Sequence, residues 1–511
     1  MSVSIARPLL RGPRAALAAA HPLAVAAGAD VFAAGGNAVD AAVAAAAALA
    51  VLCPDACGLG GDALMLVSAE GEPPLAYLGA AAVPAEPLRP VTLYGPASAG
   101  VPGAVAAWCE AHARFGRLAL AEVLAPSVTL AERGFPASDW LSGALARRRE
   151  RLTVGAEGWS VLGAAGARTL RQPELAATLR AISAGGAAAF YTGAVAEATA
   201  AAVAGRARAL AARAGAGEGG GTPPEGRGIT PADLAAYSVS AEPTLSGDYG
   251  RARLAVAPSP SQALLVVLAL AAIEGAPGPG GADGEHAAIE AIKEVFELRD
   301  ALTGGGDVQA LRDTPIPAAG ARANLLRGPT AADHTAAVAS ADAAGLVVSM
   351  LVSVFHEFGS GVLVPEAGFL LNNRLSGLAN SGSWPAPGGR PGHTLSPMLL
   401  ELDGRRLALA TPGADGQVQT LVQITRLLAD AGAGLSEALA VPRWRAVAGR
   451  LEVEDSCDAG VIRALAARGH VTDRQPDGHP LFGGVAAAGI ERDGGTVCAA
   501  DPRGEVWAAV R

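Results

Sequence analysis

The chain has 511 residues, 51% of them hydrophobic and 17% charged, enough to bury one large divided domain or two to three average ones. Its formal charge of 39 − 48 = −9 comes without any Lys/Arg block, which argues against nucleic acid as a partner. The five cysteines (Cys53, Cys57, Cys109, Cys457, Cys498) form an odd, sparse set with no paired CxxC motif. That argues against a disulfide framework and a structural zinc site; Cys53 and Cys57 could be bridged, but read better as two small buried thiols.

The first residues place Arg7, Arg11 and Arg14 before Ala15 to Ala20. The pattern resembles an export signal, but the apolar run is short and Gly12-Pro13 interrupts it, so a cytoplasmic location is expected. No apolar stretch reaches the ~18 residues of a membrane span without being dominated by alanine, so no membrane partner is expected. Gly35-Gly36-Asn37 opens a helix with Asn37 as its N-cap; it runs to about Leu52 and stops before Pro54. Gly58-Leu-Gly-Gly-Asp62 is a glycine-rich turn leading into a buried strand over Ala63 to Val67. Ala214 to Gly228 and Gly275 to Gly284 read as solvated loops. Ser246 to Tyr249 and Leu254 to Val256 suggest a strand pair; Gln262 to Ile273 and Glu285 to Leu302 suggest helices. On the second, His286 and Glu290 fall at i and i+4, and Glu285 to Glu294 reads as a solvated face.

Thr335 to Ser340 and Gly345 to Val354 are β-compatible, and Asp342-Ala-Ala-Gly345 supplies the turn of a hairpin. A threonine heading a hairpin strand after the polar Asp333-His334 is a candidate nucleophile, although threonine is also an ordinary strand residue.

Several segments in order carry a resemblance. His21-Pro-Leu-Ala24, Gly35 to Ala42, Gly58 to Gly61, Val101 to Val105, Ile229 to Leu234, Leu371-Asn-Asn373, Pro442-Arg-Trp444 and Asp501-Pro-Arg503 together resemble the γ-glutamyltransferase family of N-terminal-nucleophile hydrolases. The resemblance implies an α+β fold, a four-layer αββα sandwich made as one proenzyme. It places the nucleophile and the cleavage point on Thr335, giving chains of residues 1 to 334 and 335 to 511 cut between His334 and Thr335. The chemistry fits one residue in both roles. A threonine hydroxyl needs a base, and cleavage frees an α-amine of unperturbed pKa about 7.7–8.0 on the same residue. The oxyanion donors fall on the amides of Gly413 and Ala414, and Ser353 falls where a hydroxyl bonds the nucleophile. No cofactor or metal is implied; the partners are a small amide substrate and the second processed chain in an αβ unit, with a dimer of such units left open.

The pocket departs from the γ-glutamyl pattern. Ala80-Ala-Ala-Val-Pro84 lacks the expected carboxylate-binding arginine, Gly377 and Phe355 stand at polar positions, and His393-Thr394 replaces a serine pair. Arg374, Asn373, His393, Thr394 and His356 are therefore the candidate substrate-binding residues, and His356-Glu357 is expected to line or support the pocket rather than bind metal. The segments His356 to Gly361, His393 to Pro397 and Asp415 to Thr420 look like the branch that contains oxamate amidohydrolase. Arg374 could then receive the carboxylate of a small amide, or instead pair with Glu366 or Asp415. The alternatives are a γ-glutamyl hydrolase or transferase, an acylase for a β-lactam side chain, and an unprocessed silent relative. Ala336-Ala337 after the candidate nucleophile keeps the last one open.

Overall fold

Strand residues alternate between two faces, and here both faces are apolar, so each strand must be covered on both sides. The computed structural model describes residues 6–163, 169–215, 224–323, 335–379 and 384–511. In chain order its strands are β1 (Leu10–Gly12), β2 (Ala15–Ala19), β3 (Asp62–Ser68), β4 (Leu75–Gly79), β5 (Ala241–Pro243), β6 (Leu245–Tyr249) and β7 (Ala252–Val256). After position 335 come β8 (Ala336–Asp342), β9 (Val347–Ser353), β10 (Leu363–Val364), β11 (Phe369–Leu370), β12 (Met398–Leu402) and β13 (Arg405–Ala410). The last are β14 (Trp444–Val447), β15 (Arg450–Glu454), β16 (Thr472–Gln475), β17 (Ala486–Ile490), β18 (Thr496–Ala500) and β19 (Trp507–Val510). Two seven-stranded sheets carry the fold, in the orders β1-β18-β17-β13-β12-β7-β6 and β19-β2-β8-β9-β3-β4-β5.

One face of the second sheet (Leu17, Met65, Val67, Val338, Met350, Val352) packs on helices α1 (Pro22–Ala33) and α2 (Ala38–Leu52). Its other face (Ala18, Leu64, Leu66, Ala337, Ala339, Leu351) meets Leu254, Val256, Leu400 and Ala408 of the first sheet. Helices Leu264–Ala272, Ala282–Glu297 and Gly416–Ala429 belong to the same apolar cluster and cover the first sheet from outside. This is the expected αββα sandwich. All fifteen residues of α2 are buried. Asn37 Oδ1 accepts from the amides of Val39 and Asp40 at 3.0 Å, and Asp40 accepts from the Asn37 amide at 3.0 Å. Asp342 Oδ2, at the end of β8, accepts from the Ala38 amide at 2.7 Å, placing a carboxylate on the positive end of the helix.

The β8–β9 hairpin and the β6–β7 pair form as expected. Gly345 sits at φ 101° in the hairpin turn, which only glycine adopts without strain. Cys57 is buried and Cys53 half-buried, both as free thiols. Most of the Ala214–Gly228 loop lies outside the described residues. The helix expected over Glu285 to Leu302 breaks at Leu298 into Ala282–Glu297 and Arg299–Thr303. Its solvated face is a correction: His286 and Glu290 are each 2% exposed. The cover comes from far along the chain. His286 Nδ1 meets His470 Nε2 at 2.8 Å, His286 Nε2 meets the Gly320 carbonyl at 2.7 Å, and Lys293 Nζ donates to Glu290 Oε1 at 2.8 Å. His286, Glu290 and His470 have metal-ligating atoms within 4.8 Å of one another. Those atoms are already bonded to each other and to an ammonium, so the cluster reads as a satisfied polar core.

Candidate active site

Side-chain alternation decides what faces the space between the sheets. Ala337, Ala339 and Ala341 of β8 face the first sheet, as do Leu351 of β9 and Leu64 and Leu66 of β3. Thr335, Ser353 and Asp62 share their parity and point the same way. Asp62 is the Cα partner of Ser353, and extending the Ala336↔Val352 register by one sets Thr335 opposite Ser353 on the other side. Three polar side chains thus gather at one end of the second sheet. Thr335 Oγ1 lies 3.5 Å from Ser353 Oγ, a long hydrogen bond, and Ser353 Oγ accepts from the Phe355 amide at 2.9 Å. Thr335 is 9% exposed. His334 lies outside the described residues.

Strand β13 of the first sheet brings the Gly413–Ala414 segment to the same end. Arg406, near its start, donates Nη1 to the carbonyl of Gly345 in the β8–β9 turn at 3.1 Å. Leu409, three residues on, accepts from Ser349 Oγ, four residues along β9, at 2.8 Å. The two strands therefore run in the same direction, and the segment with Gly413 and Ala414 leaves β13 toward the end of β9 at which Ser353 stands. Both Gly413 (φ 118°) and Ala414 (φ 46°) are left-handed. Their amides donate to no described residue. The carbonyls are held: Gly413 O by the Gly416 amide and Arg445 Nη2, Ala414 O by the Gln417 amide and Gln262 Nε2.

Asp62 organises the other flank. Its Oδ2 accepts from Arg374 Nε (2.9 Å), Arg374 Nη2 (2.7 Å) and His393 Nε2 (3.0 Å), and its Oδ1 from the Ala81 amide at 2.7 Å. All three side chains are buried. Burial raises the Asp62 carboxyl, but Arg374 and His393 outweigh it and hold the group below the usual carboxylate range. Burial and then Arg374 push His393 down to about 4, against the pull of Asp62. The neutral ring is fixed as the Nε2–H tautomer, because Nδ1 accepts from the Leu395 amide at 3.2 Å. Arg374 therefore pairs with neither Glu366 nor Asp415, a second correction. Its guanidinium stacks 4.1 Å from the ring of Phe355, which is itself left-handed at φ 80°. Arg374 Nη1 is buried without a partner among the described residues.

A cavity of about 1430 Å³ opens beside this cluster, walled in part by Val83, Tyr237, Phe355, Leu378, Trp384, His393 and Thr394. Of the expected substrate-binding residues, His393 and Thr394 belong to its wall and Arg374 does not, nor does the expected nucleophile Thr335. Asn373 and His356 are bonded to each other, Nδ2 to Nδ1 at 2.7 Å and the His356 amide to Asn373 Oδ1 at 3.0 Å. Asn373 Nδ2 also donates to the carbonyl of Leu93 at 2.8 Å. These two brace loops and, like Thr335 and Arg374, are not part of the cavity wall. Glu357 is held by Arg147 at 2.7 Å and by Arg148.

A sequence profile of the family described as gamma-glutamyltranspeptidase matches residues 24–510. The chain belongs to this family. It is accordingly an enzyme of the N-terminal-nucleophile hydrolase class acting on C–N amide bonds. The oxamate amidohydrolase proenzyme of Klebsiella pneumoniae is 31% identical, covering 96% of this chain and 97% of its own. The acylase ACY 1 proenzyme of Pseudomonas sp. (strain SE83) is 30% identical over 94% of this chain and 91% of its own. The crystal structure of cephalosporin acylase from Bacillus halodurans superposes with a TM-score of 0.82 at 26% identity, covering 99% of this chain and 97% of that one.

Sequence reasoning missed Asp62, Gln262 and Arg445. A signal for Asp62 existed, since a carboxylate heading an apolar buried strand requires a cation. Its partners lie more than 300 positions away.

Proposed function

We propose that the chain cuts itself between His334 and Thr335 and then hydrolyses a small carboxylated amide, with oxamate as the representative substrate, through an acyl-Thr335 ester. Thr335 Oγ1 attacks the amide carbon while the freed α-amine takes its proton. Ser353 Oγ steadies the hydroxyl, and the amides of Gly413 and Ala414 receive the oxyanion. The leaving amine departs protonated, and water attacks the ester to release the acid. What supports this reading is the Thr335–Ser353 hydroxyl pair together with two amides, on the segment leaving β13 toward the same end of the sandwich, that donate to no described residue.

Arg374 supports the choice of substrate. Its Nη1 is a donor without a partner among the described residues, on a buried guanidinium that Asp62 anchors one strand beyond Ser353. Adjacent antiparallel strands lie about 5 Å apart. Thr335 lies on the far side of Ser353, two strand spacings or roughly 10 Å from Asp62, so the reach of Nη1 toward Thr335 sets the length of acyl group this arrangement favours. The size of the cavity and its Tyr237 and Trp384 walls favour a second reading, an acylase whose substrate carries a bulky leaving group.

Intact-mass measurement of freshly purified protein tests the first step. A single cut before Thr335, absent in Thr335→Ala, is expected. A persistently uncut chain would move the assignment to a silent relative. Turnover of oxamate, a γ-glutamyl anilide and a β-lactam side-chain amide then separates the substrate readings. Arg374→Ala is expected to abolish turnover of the carboxylated amide; unchanged turnover would sink that substrate class.

A further inference from the structure

Two left-handed residues in succession do not hold themselves. Ala414 at φ 46° carries a steric cost of about 1–2 kcal/mol. The Gly416 amide holds the Gly413 carbonyl from within the turn at 2.8 Å, and a second donor reaches the same oxygen from outside it. Arg445, on β14 and 2% exposed, donates Nη2 to the carbonyl of Gly413 at 2.9 Å and Nη1 to the carbonyl of Leu481 at 2.7 Å. The Gly413–Ala414 peptide is trans, so its carbonyl and its N–H point in opposite directions. A guanidinium fixed on the carbonyl therefore fixes the Ala414 N–H on the far side. We propose that Arg445 is a positioning residue that orients and polarises the Gly413–Ala414 peptide as an oxyanion donor, a role that rests on the reading of Thr335 as nucleophile.

The charge matters as well as the geometry. A cation hydrogen-bonded to a peptide oxygen draws density from the same peptide's N–H and strengthens it as a donor. Gly416 is part of the device. A Cβ there would lie 2.8 Å from Arg445 Cζ and 2.9 Å from its Nε and Nη1. The guanidinium rests on the bare α-carbon of Gly416, and any side chain at that position displaces it. At Gly413 the corresponding contact, 3.7 Å to Arg445 Nη1, is ordinary. Gly416→Ala is thus a way to move Arg445 without removing it.

Acetamidomethylboronic acid, which forms a tetrahedral adduct on a nucleophilic hydroxyl and so mimics the oxyanion, is the probe. Its adduct is titrated by boron NMR on the self-cleaved protein. Wild type should form an adduct that Thr335→Ala lacks; the absence of any such Thr335-dependent adduct would overturn the nucleophile reading and this proposal with it. Given that adduct, Arg445→Met and Gly416→Ala should each weaken it by about tenfold or more, the order expected for a misaligned oxyanion donor. Arg445→Lys, which keeps a cationic donor for Gly413, should recover most of that loss. Wild-type affinity in both Arg445→Met and Gly416→Ala would overturn the proposal, as would an equal loss in Arg445→Lys and Arg445→Met.

Discussion

Asp62, Arg374 and His393 form a buried group with one negative and one positive charge and a neutral ring. Removing one partner of such a pair leaves the other charge uncompensated in a low-dielectric site, at a cost of about 3–5 kcal/mol. Asp62→Asn is expected to destabilise the uncut Thr335→Ala chain by that amount in denaturant unfolding. Asp62→Asn combined with Arg374→Gln should cost less than Asp62→Asn alone, because the double change removes both charges; additive losses would show that the pair is not coupled. His393 adds a dependence on pH. Its folded value of about 4 lies below the unfolded value of 6.5, so the unfolded chain binds the extra proton between them. Its contribution is complete above about pH 6.5 and is lost as the pH falls toward 4, a change of roughly 3 kcal/mol. His21, also lowered to about 4, and His470, lowered to about 3, add to the fall over the same window, so His393→Gln should reduce the slope without abolishing it, and an unchanged slope would exclude a contribution from His393. None of this triad was legible as a triad in the sequence. Arg374 and His393 stood out as polar residues where the family has others, but the carboxylate that neutralises them was read only as the end of a turn.

Elements whose determinants are local were legible. Asn37, Asp40 and the alanine run before Pro54 specify α2 from within, and it forms over Ala38–Leu52 with the cap on Asn37. The Asp342-to-Gly345 turn likewise fixes the β8–β9 hairpin. The helix Ala282–Glu297 shows the opposite case. Its charged face looks solvated in isolation, and only Gly320 and His470, brought in by distant segments, bury it. The alanine content of α2 has a packing reason as well as a compositional one. Ala44 to Ala48 are all fully buried between α1, the helix Leu120–Arg133 and the second sheet, so no side of the helix has room for a longer side chain. Ala45→Leu inserts three carbons into that space and is expected to destabilise by about 1–3 kcal/mol, read as a lowered melting temperature. A neutral or stabilising result would mean that α2 can move off its neighbours.

At the scale of the molecule, the sequences on either side of position 335 do not form separate lobes. In the second sheet β8 and β9 lie between β2 and β3, and in the first sheet β12 and β13 lie between β17 and β7. Both sheets therefore need strands from both sides of the proposed cut. The proposed cut falls just before β8, outside every ladder of the described residues, so none of those pairings has to break when it occurs. The processed pieces should consequently remain one particle, a single species in native mass spectrometry that gives two chains on denaturation. Unfolding then releases two molecules instead of one, and mass action makes the equilibrium depend on concentration. The denaturant midpoint of the cleaved protein should rise with protein concentration, while that of the uncut Thr335→Ala chain should not. Separation of the pieces without denaturant would contradict the interleaved sheets. A concentration-independent midpoint in the cleaved protein would mean that one piece keeps its fold alone, which the central position of β8 and β9 argues against.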